Sequence, residues 1–206
     1  MDINGKKCLV TGGAGFIGSH LVDKLMEAGC QLRILDNLSN GKYENIQHHE
    51  KSENFEFIKG SILESADVLK AMSGMEVVFH MACLGVRHSI SHPFENHQVN
   101  AEGTLNILIK AREIGIERFI NCSSSEIYGT AIHVPMAETH SPKPETVYGA
   151  SKLAGEAYAR AFHRTFGMNT MVIRPFNTYG PRSHYEGDAG EVIPKSIIRV
   201  LNKQPI

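Results

Sequence analysis

The sequence has no excess of either charge. Its 21 lysines and arginines face 22 aspartates and glutamates, for a formal net charge of −1. Without a basic surplus, electrostatics give no reason to expect a nucleic-acid partner. No apolar run is long enough to span a bilayer, so no membrane partner is expected. The first apolar segment is broken by glycines within a few residues, which is not the pattern of a signal peptide. Cysteine is scarce and scattered. Cys8, Cys30, Cys83 and Cys122 form no spaced framework and read as reduced thiols of a cytoplasmic protein. The 11 histidines show no ligand spacing such as His-x-x-x-His on a helix, so no metal site is expected. Internal repeats, low-complexity tracts and a clear interdomain linker are lacking too. The 206 residues suit one large domain, or one domain and part of another.

What the chain does have is Val10-Thr11-Gly12-Gly13-Ala14-Gly15-Phe16-Ile17-Gly18. Before it lies Lys7-Cys8-Leu9-Val10, apolar enough for a buried strand. After it, Phe16, Ile17, Leu21, Leu25 and Met26 recur with a helical period. Strand, glycine turn and helix are the context that a dinucleotide fingerprint requires. In such a fingerprint Gly12 allows the tight turn, Gly15 lets backbone approach a pyrophosphate, and Gly18 lets the helix pack close to the strand. The helix N-terminus then offers free N–H groups and partial positive charge to the phosphates. The segment Gln31 to Leu35 ends in Asp36, where a ribose-binding carboxylate is expected. An acid there accepts from both ribose hydroxyls and repels a 2′-phosphate, which favours NAD over NADP. The phosphate-binding loop of NTPases fails as a rival, because no Gly-Lys-Ser/Thr follows the glycines.

The rest of the chain alternates strand and helix. Phe55 to Ile58, Val77 to His80, Arg118 to Cys122 and Thr170 to Arg174 read as strands three to six. Ala66 to Met72, Phe94 to Ile114, Tyr148 to Phe166 and Glu191 to Leu201 read as helices, with Gly115 and Gly167 as stops. The stretches after Asp36, after His80 through Pro93, and from Ser123 to Glu145 read mainly as loop. Such alternation predicts an α/β fold: a Rossmann-type, doubly wound parallel sheet with helices on both faces.

Ligands of an open α/β sheet bind beyond the carboxyl ends of its strands. Those ends carry Met81-Ala82-Cys83, Ser123 to Gly129, and Pro175 to Arg182. The helix between strands five and six opens with Tyr148-Gly149-Ala150-Ser151-Lys152, which puts Tyr148 and Lys152 on one face. An ammonium beside a phenol, with a positive nicotinamide ring, would favour phenolate and make a base; a downward shift of ~3 pKa units corresponds to ~4 kcal/mol. Tyr-x-x-x-Lys alone is a frequent accident on helices. The fingerprint and the preceding serines give it weight.

The glycine motif, Asp36-Asn37, Asn100 to Thr104, Ser123 to Gly129, Tyr148 to Lys152 and Arg174 to Arg182 together resemble the extended short-chain dehydrogenase/reductase family, in its nucleotide-sugar epimerase/dehydratase branch. The resemblance implies a catalytic group of Ser124, Tyr148 as base, and Lys152, which holds the ribose and tunes Tyr148. It implies cofactor contacts at Gly12, Gly15, Phe16, Ile17, Gly18, Asp36, Asn37, Ser61, Ile62, Met81, Ala82, Asn100, Tyr148, Lys152 and Pro175. Asn100 would also support the loop around the active site. Ser124, Asn177, Arg87 and Arg182 would contact a nucleotide sugar, UDP-linked in the first instance, with Asn177 on its diphosphate.

Two departures from the family pattern stand out. Gly60-Ser61 replaces the family's Gly-Asp, and Ser125-Glu126 replaces the dehydratases' Asp-Glu. The Ser-Glu pair resembles uronate decarboxylases and some dehydratases, whereas Ala82 to Arg87 resembles UDP-glucuronate 4-epimerases. In each case Tyr148 takes the C4 hydroxyl proton while NAD takes the hydride. Epimerisation, dehydration with Glu126 as base, or decarboxylation then follows. A non-catalytic NAD-binding sensor or scaffold of the same fold is the alternative from another class. The resemblance further implies a homodimer paired through the two long helices. It divides the chain into a cofactor domain over residues 1–174 and, over 175–206, the beginning of a C-terminal substrate domain.

Overall fold

The computed structural model describes residues 2–187 and 190–205. Its centre is a single parallel sheet of β1 (Lys7–Thr11), β2 (Gln31–Asp36), β3 (Phe55–Lys59), β4 (Val77–His80), β5 (Arg118–Cys122) and β6 (Thr170–Ile173). The strands lie in the order β3-β2-β1-β4-β5-β6, so the winding direction reverses between β1 and β4. Helices α1 (Phe16–Glu27), α2 (Ser65–Met72), α3 (Val86–Ser91), α4 (Pro93–His97), α5 (Gly103–Ile114), α6 (Val147–Phe166) and α7 (Val192–Leu201) accompany the sheet, with short 3₁₀ and π turns between them.

Strand alternation explains the two cores. Successive side chains of β1 point to opposite faces. Cys8 and Val10 join Val22, Leu25, Ile34 and Ile120 on the α1 side. Leu9 joins Leu35, Val78, Leu108, Phe119 and Phe162 on the face covered by α2, α5 and α6. Buried on both faces, β1 reads as a continuous apolar run, as expected of a central parallel strand. Fully burying one such side chain is worth roughly 1.5–3 kcal/mol, so the three apolar residues of β1 anchor the turn that follows them.

All six strands fall where the sequence places them, within a residue at either end. Two expectations need correction. The segment after β4 is not loop throughout: residues 86–91 form α3, because Asn96 Nδ2 gathers the Leu84 and Gly85 carbonyls at 3.1 Å and sets the entry to a helix. The long helix expected from Phe94 to Ile114 is in three parts. Between α4 and α5, residues Gln98–Glu102 widen into a π-turn that carries Asn100. Such turns are found most often at functional positions. At the other end of the chain, α7 keeps an amphipathic sequence but buries none of its residues, leaving Val192, Ile197, Val200 and Leu201 exposed. None of the described helices is long and apolar enough to cross a membrane.

Candidate active site

The site begins at the turn from β1 into α1. Gly12 has φ +69°, a left-handed conformation that disfavours a side chain, and a Cβ there would lie 2.6 Å from the Ala82 backbone. A Cβ on Gly15 would meet only the Gly12 carbonyl, at 3.2 Å, so its outer side stays open. The expectation for Gly18 changes in detail. Its missing Cβ makes room for the Gly12 carbonyl and for Gly13 Cα at 3.0 Å, so it serves the turn itself rather than the strand. α1 opens with Gly15, no side chain caps it, and no acid stands in its first turn. Its first N–H groups and partial positive charge therefore face the crevice. Phe16 is buried, whereas Ile17 is partly exposed on the same turn.

Asp36 ends β2 beside this turn. Its Oδ2 accepts the Ala14 N–H at 3.0 Å and its Oδ1 the Leu38 N–H at 2.8 Å. Burial pushes the carboxyl up from its ordinary value, while those two backbone bonds pull the other way. A carboxylate has about four acceptor sites, so two remain. The neighbouring Asn37 turns onto the Ser39 N–H at 3.0 Å. The loop after β2 closes on the glycine turn from outside: the Lys42 N–H and Asn45 Nδ2 both reach the Ala14 carbonyl, at 3.0 and 2.8 Å. At Gly60-Ser61, where the family's aspartate is missing from the sequence, Asp67 of α2 reaches back to accept the Ser61 N–H at 2.9 Å. Six residues separate the pair, a distance that motif reading does not bridge. Ile62 is buried next to it, its carbonyl held by Asn106 at 2.7 Å.

Beyond β4, a chain of hydrogen bonds that the sequence did not suggest fixes the loop. Thr104 Oγ1 donates to the Asn100 carbonyl at 2.6 Å, so it accepts from His80 Nε2 at 2.9 Å. His80 Nδ1 is then an acceptor from Thr11 Oγ1, at 2.8 Å, and that oxygen accepts the Ala82 N–H at 3.2 Å. The partners thus assign a neutral His80. Burial, reinforced by the Lys152 charge, pulls its pKa down to about 3. The Met81 N–H binds the Thr11 carbonyl at 3.1 Å. Asn100 clasps residue 84 from both sides, with Nδ2 on its carbonyl and Oδ1 on its N–H, both at 2.9 Å. The loop 81–85 is therefore pinned directly over Gly12.

The chemistry-bearing groups meet at the carboxyl ends of β4 and β5. Ser124 caps the short 3₁₀ turn Ser125–Tyr128 by accepting the Glu126 N–H at 3.2 Å. Thr146 caps α6 through the Gly149 N–H at 2.9 Å, a helix start one residue earlier than sequence suggests. Gly149 lets α6 approach this turn: a Cβ there would lie 2.7 Å from the Glu126 carbonyl. Tyr148 and Lys152 then share one face, with Lys152 Nζ 5.9 Å from the phenol ring centre and bonded to the Cys122 carbonyl at 2.9 Å.

The lowered Tyr148 pKa expected from sequence is not what the chain alone produces. Burial drives the phenol up to about 12 and Cys83 adds to this; Lys152 and the Ser124 hydroxyl oppose it without prevailing. Burial works against the Lys152 ammonium, yet the acidic groups of Cys83, Tyr148 and Cys122 around it prevail and hold it above the ordinary lysine value. Half-buried Cys83 is thus part of this cluster, although its sequence position reads only as a loop thiol.

The remaining candidates separate. Pro175 is tied to the group through its carbonyl, which accepts the Ser125 N–H at 3.0 Å. Glu126 is half-buried on the 3₁₀ turn. Asn177 is exposed on the segment after β6. Arg87 donates to the Gly190 carbonyl and so ties α3 to the segment before α7. Arg182 is not brought to this cluster. At φ +67° it pairs with Asp23 of α1, Nη2 to Oδ2 at 2.8 Å, while the Pro181 carbonyl meets His20 Nε2 at 2.9 Å.

Sheet order, glycine turn and acid after β2 define a doubly wound α/β protein of the dinucleotide-binding class, with a Ser–Tyr–Lys group beside the switch point. Residues 8–206 match the profile of the NAD dependent epimerase/dehydratase family. The chain belongs to that family. It is 39% identical over 190 residues to a UDP-glucose 4-epimerase of Mycolicibacterium smegmatis, covering 90% of this chain and 60% of that protein. It is 34% identical over 208 residues to UDP-glucuronic acid decarboxylase 2 of Arabidopsis thaliana, covering 98% and 45%. A solved UDP-N-acetylglucosamine 4-epimerase from Methanobrevibacter ruminantium M1, in complex with UDP-N-acetylmuramic acid, superposes with TM-score 0.92 at 36% identity, covering 98% of this chain and 64% of that one. The chain therefore spans between about half and two thirds of the length of these relatives.

Proposed function

We propose that this chain supplies the NAD site and the catalytic Ser124–Tyr148–Lys152 group of an enzyme that oxidises a nucleotide sugar transiently at C4, in the first instance as a 4-epimerase of a UDP-linked hexose or uronate. The observation that carries this reading is half-buried Tyr148 beside buried Lys152 on one face of α6, next to buried Ser124.

The residues fit the cofactor. Gly15 presents an open backbone, α1 presents an uncapped N-terminus, and Asp36 keeps acceptor capacity for ribose hydroxyls. When bound, NAD supplies the hydride acceptor and, in its oxidised form, a positive ring. The protein's own part follows from the titration of Tyr148. With its pKa near 12, the phenol is protonated at neutral pH in the chain alone. Positive charge delivered beside it, beyond that of Lys152, favours the phenolate that acts as the base. Tyr148 then takes the C4 hydroxyl proton, Ser124 orients that hydroxyl, and Lys152 holds the phenolate. Glu126, half-buried at the adjoining turn, favours a second reading in which the 4-keto sugar loses water or CO₂ instead of returning to the hydroxyl.

Tyr148→Phe tests the assignment. Positioned acid–base groups contribute ~10²–10⁴-fold. The variant is expected to bind NAD as the parent chain does, yet to lose its reduction at 340 nm by UDP-sugars by at least that factor. Parent-like reduction would remove Tyr148 from the role. Mass spectrometry of products then separates the fates: unchanged mass for epimerisation, loss of water for dehydration, loss of CO₂ for decarboxylation. Exposed Phe166 at the end of α6 and part-exposed Ile109 on α5 support the homodimer across these helices, which light scattering checks.

A further inference from the structure

Far from the Tyr148 cluster, on the outer side of α1, two adjacent histidines converge on one carboxylate oxygen. His48 Nε2 lies 2.9 Å and His49 Nε2 2.8 Å from Asp23 Oδ1. The three atoms all lie within 4.8 Å of one another. We propose that Asp23, His48 and His49 form a binding site for a divalent transition metal of the zinc class, which fastens the loop after β2 to α1.

Geometry comes first. A tetrahedral ion with bonds of about 2.0–2.2 Å to nitrogen and oxygen keeps its ligand atoms ~3.4 Å apart. The present separations from Oδ1 are shorter by roughly half an ångström and sit on side chains with room to widen. His48 is about half exposed and His49 and Asp23 are partly so, which leaves a solvent path for an ion. The two rings lie side by side with centroids 4.0 Å apart and planes tilted by 44°, so both Nε2 atoms already face the same carboxylate.

The chemistry is consistent with the proton count. Each Nε2 within hydrogen-bond distance of the carboxylate oxygen serves as the N–H donor, since the carboxylate can only accept. On metal binding that proton moves to Nδ1 of the same ring, and the Nε2 lone pair binds the ion. No net proton is released when both rings start neutral. The carboxylate needs no deprotonation either. Partial burial acts to raise its pKa, but bonds from His49, Arg182 and His48 outweigh this and hold it below the ordinary value.

Arg182 sets the selectivity. Its Nη2 occupies the other carboxylate oxygen at 2.8 Å, which orients the ligand as an outer partner commonly does. Its charge also opposes a dication. An ion held by oxygens alone, such as Mg²⁺, gains too little here from a single carboxylate. One that bonds strongly to imidazole overcomes the repulsion, which selects zinc and its neighbours in the affinity series. Three protein ligands leave coordination positions for water.

The placement gives such an ion a consequence. His48 and His49 form the 3₁₀ turn Gln47–His49 at the end of the loop whose Lys42 and Asn45 grip the Ala14 carbonyl. An ion that fastens this turn to Asp23 stiffens the outer clasp of the glycine turn. Adjacent histidines on a short turn, with an acid from a helix 25 residues earlier, lie outside the helical spacing searched for in the sequence.

Calorimetric titration of the EDTA-treated full chain with ZnCl₂ tests the site, with MgCl₂ as the contrast. One Zn²⁺ per chain is expected, and no Mg²⁺ response. The double variant H48Q/H49Q should bind Zn²⁺ at least tenfold more weakly while melting like the parent in EDTA. At a hundredfold excess over Kd, Zn²⁺ should raise the parent melting temperature by about 5–10 °C and leave the variant unmoved. Co²⁺ should give visible absorption bands in the parent alone. Equal Zn²⁺ binding by parent and variant would place the ion on other histidines and overturn the proposal. No binding by the parent would reduce the triad to hydrogen bonding and overturn it too.

Discussion

His80 makes the stability of this protein fall in mild acid, by an amount that the structure lets one calculate. The ring is enclosed between Thr11 and Thr104, one nitrogen accepting and the other donating, and its pKa is pulled down to about 3 by burial and the Lys152 charge. In the unfolded chain a histidine titrates near 6.5. Between these two values the unfolded chain binds a proton that the folded chain refuses. Stability therefore rises with pH across that window and is lost as pH falls from 6.5 towards 3, at up to about 1.4 kcal/mol per pH unit. From pH 7 to pH 5 the two-pKa expression gives a loss of about 2 kcal/mol from this one group. His80→Gln retains a donor and an acceptor but does not titrate. Urea unfolding of the parent and the variant at pH 7, 6 and 5 isolates the term, because the other histidines contribute equally to both. The parent should lose about 2 kcal/mol more than the variant over that range. Parallel pH dependence in the two proteins would show that His80 is not held neutral, and the hydrogen-bond directions assigned through it would fall with that result.

Three further outcomes follow from the site and its frame. Asp36→Ala should weaken NAD binding and relax discrimination against NADP. It removes a ribose acceptor and also frees the Ala14 and Leu38 N–H groups; equal NAD affinity in calorimetry would contradict this. Gly18→Ala places a methyl against the Gly12 carbonyl, so NAD binding should fall by more than tenfold while the far-UV spectrum is kept; unchanged affinity would show that the turn can move aside. Arg174→Met strands the Glu156 carboxylate, which is only 1% exposed and held by two charge-assisted bonds at 2.9 and 2.7 Å. Loss of one partner of a buried pair costs ~3–5 kcal/mol, to be read from denaturant unfolding at pH 7. A loss below ~1 kcal/mol would mean that the pair is not coupled as described.

What could be read from the sequence was whatever depends on local periodicity or contiguous spacing. The six strands, α1, α6 and the glycine turn belong here, since burial on both faces writes itself as apolar runs such as Cys8 to Val10. So does the Tyr148–Lys152 pair, because four residues make one helical turn. What stayed hidden depends on groups distant in the chain. α3 is set by Asn96 from outside its own segment. The π-turn arises because Asn100 reaches out to residue 84, which no propensity encodes. Asp67 restores an acid near Gly60 from the next helix. The rise of the Tyr148 phenol in the chain alone was not legible either, because burial is a property of the packed cluster, not of a four-residue spacing. Arg182 lay in a substrate-side motif, and its engagement with Asp23 follows from the path of the segment after β6.

The Arg174–Glu156 pair also orders events as the chain leaves the ribosome. Glu156 emerges in the middle of α6, 18 residues ahead of the arginine that neutralises it. Until Arg174 follows, a docked α6 would hold an uncompensated carboxylate out of water, so its packing onto the sheet is energetically deferred. When β6 arrives, Arg174 reaches Glu156, the Tyr128 hydroxyl at 2.7 Å and the Glu138 carbonyl at 3.0 Å at once. One guanidinium thereby closes α6, the 3₁₀ turn beside Ser124 and the following loop in a single step.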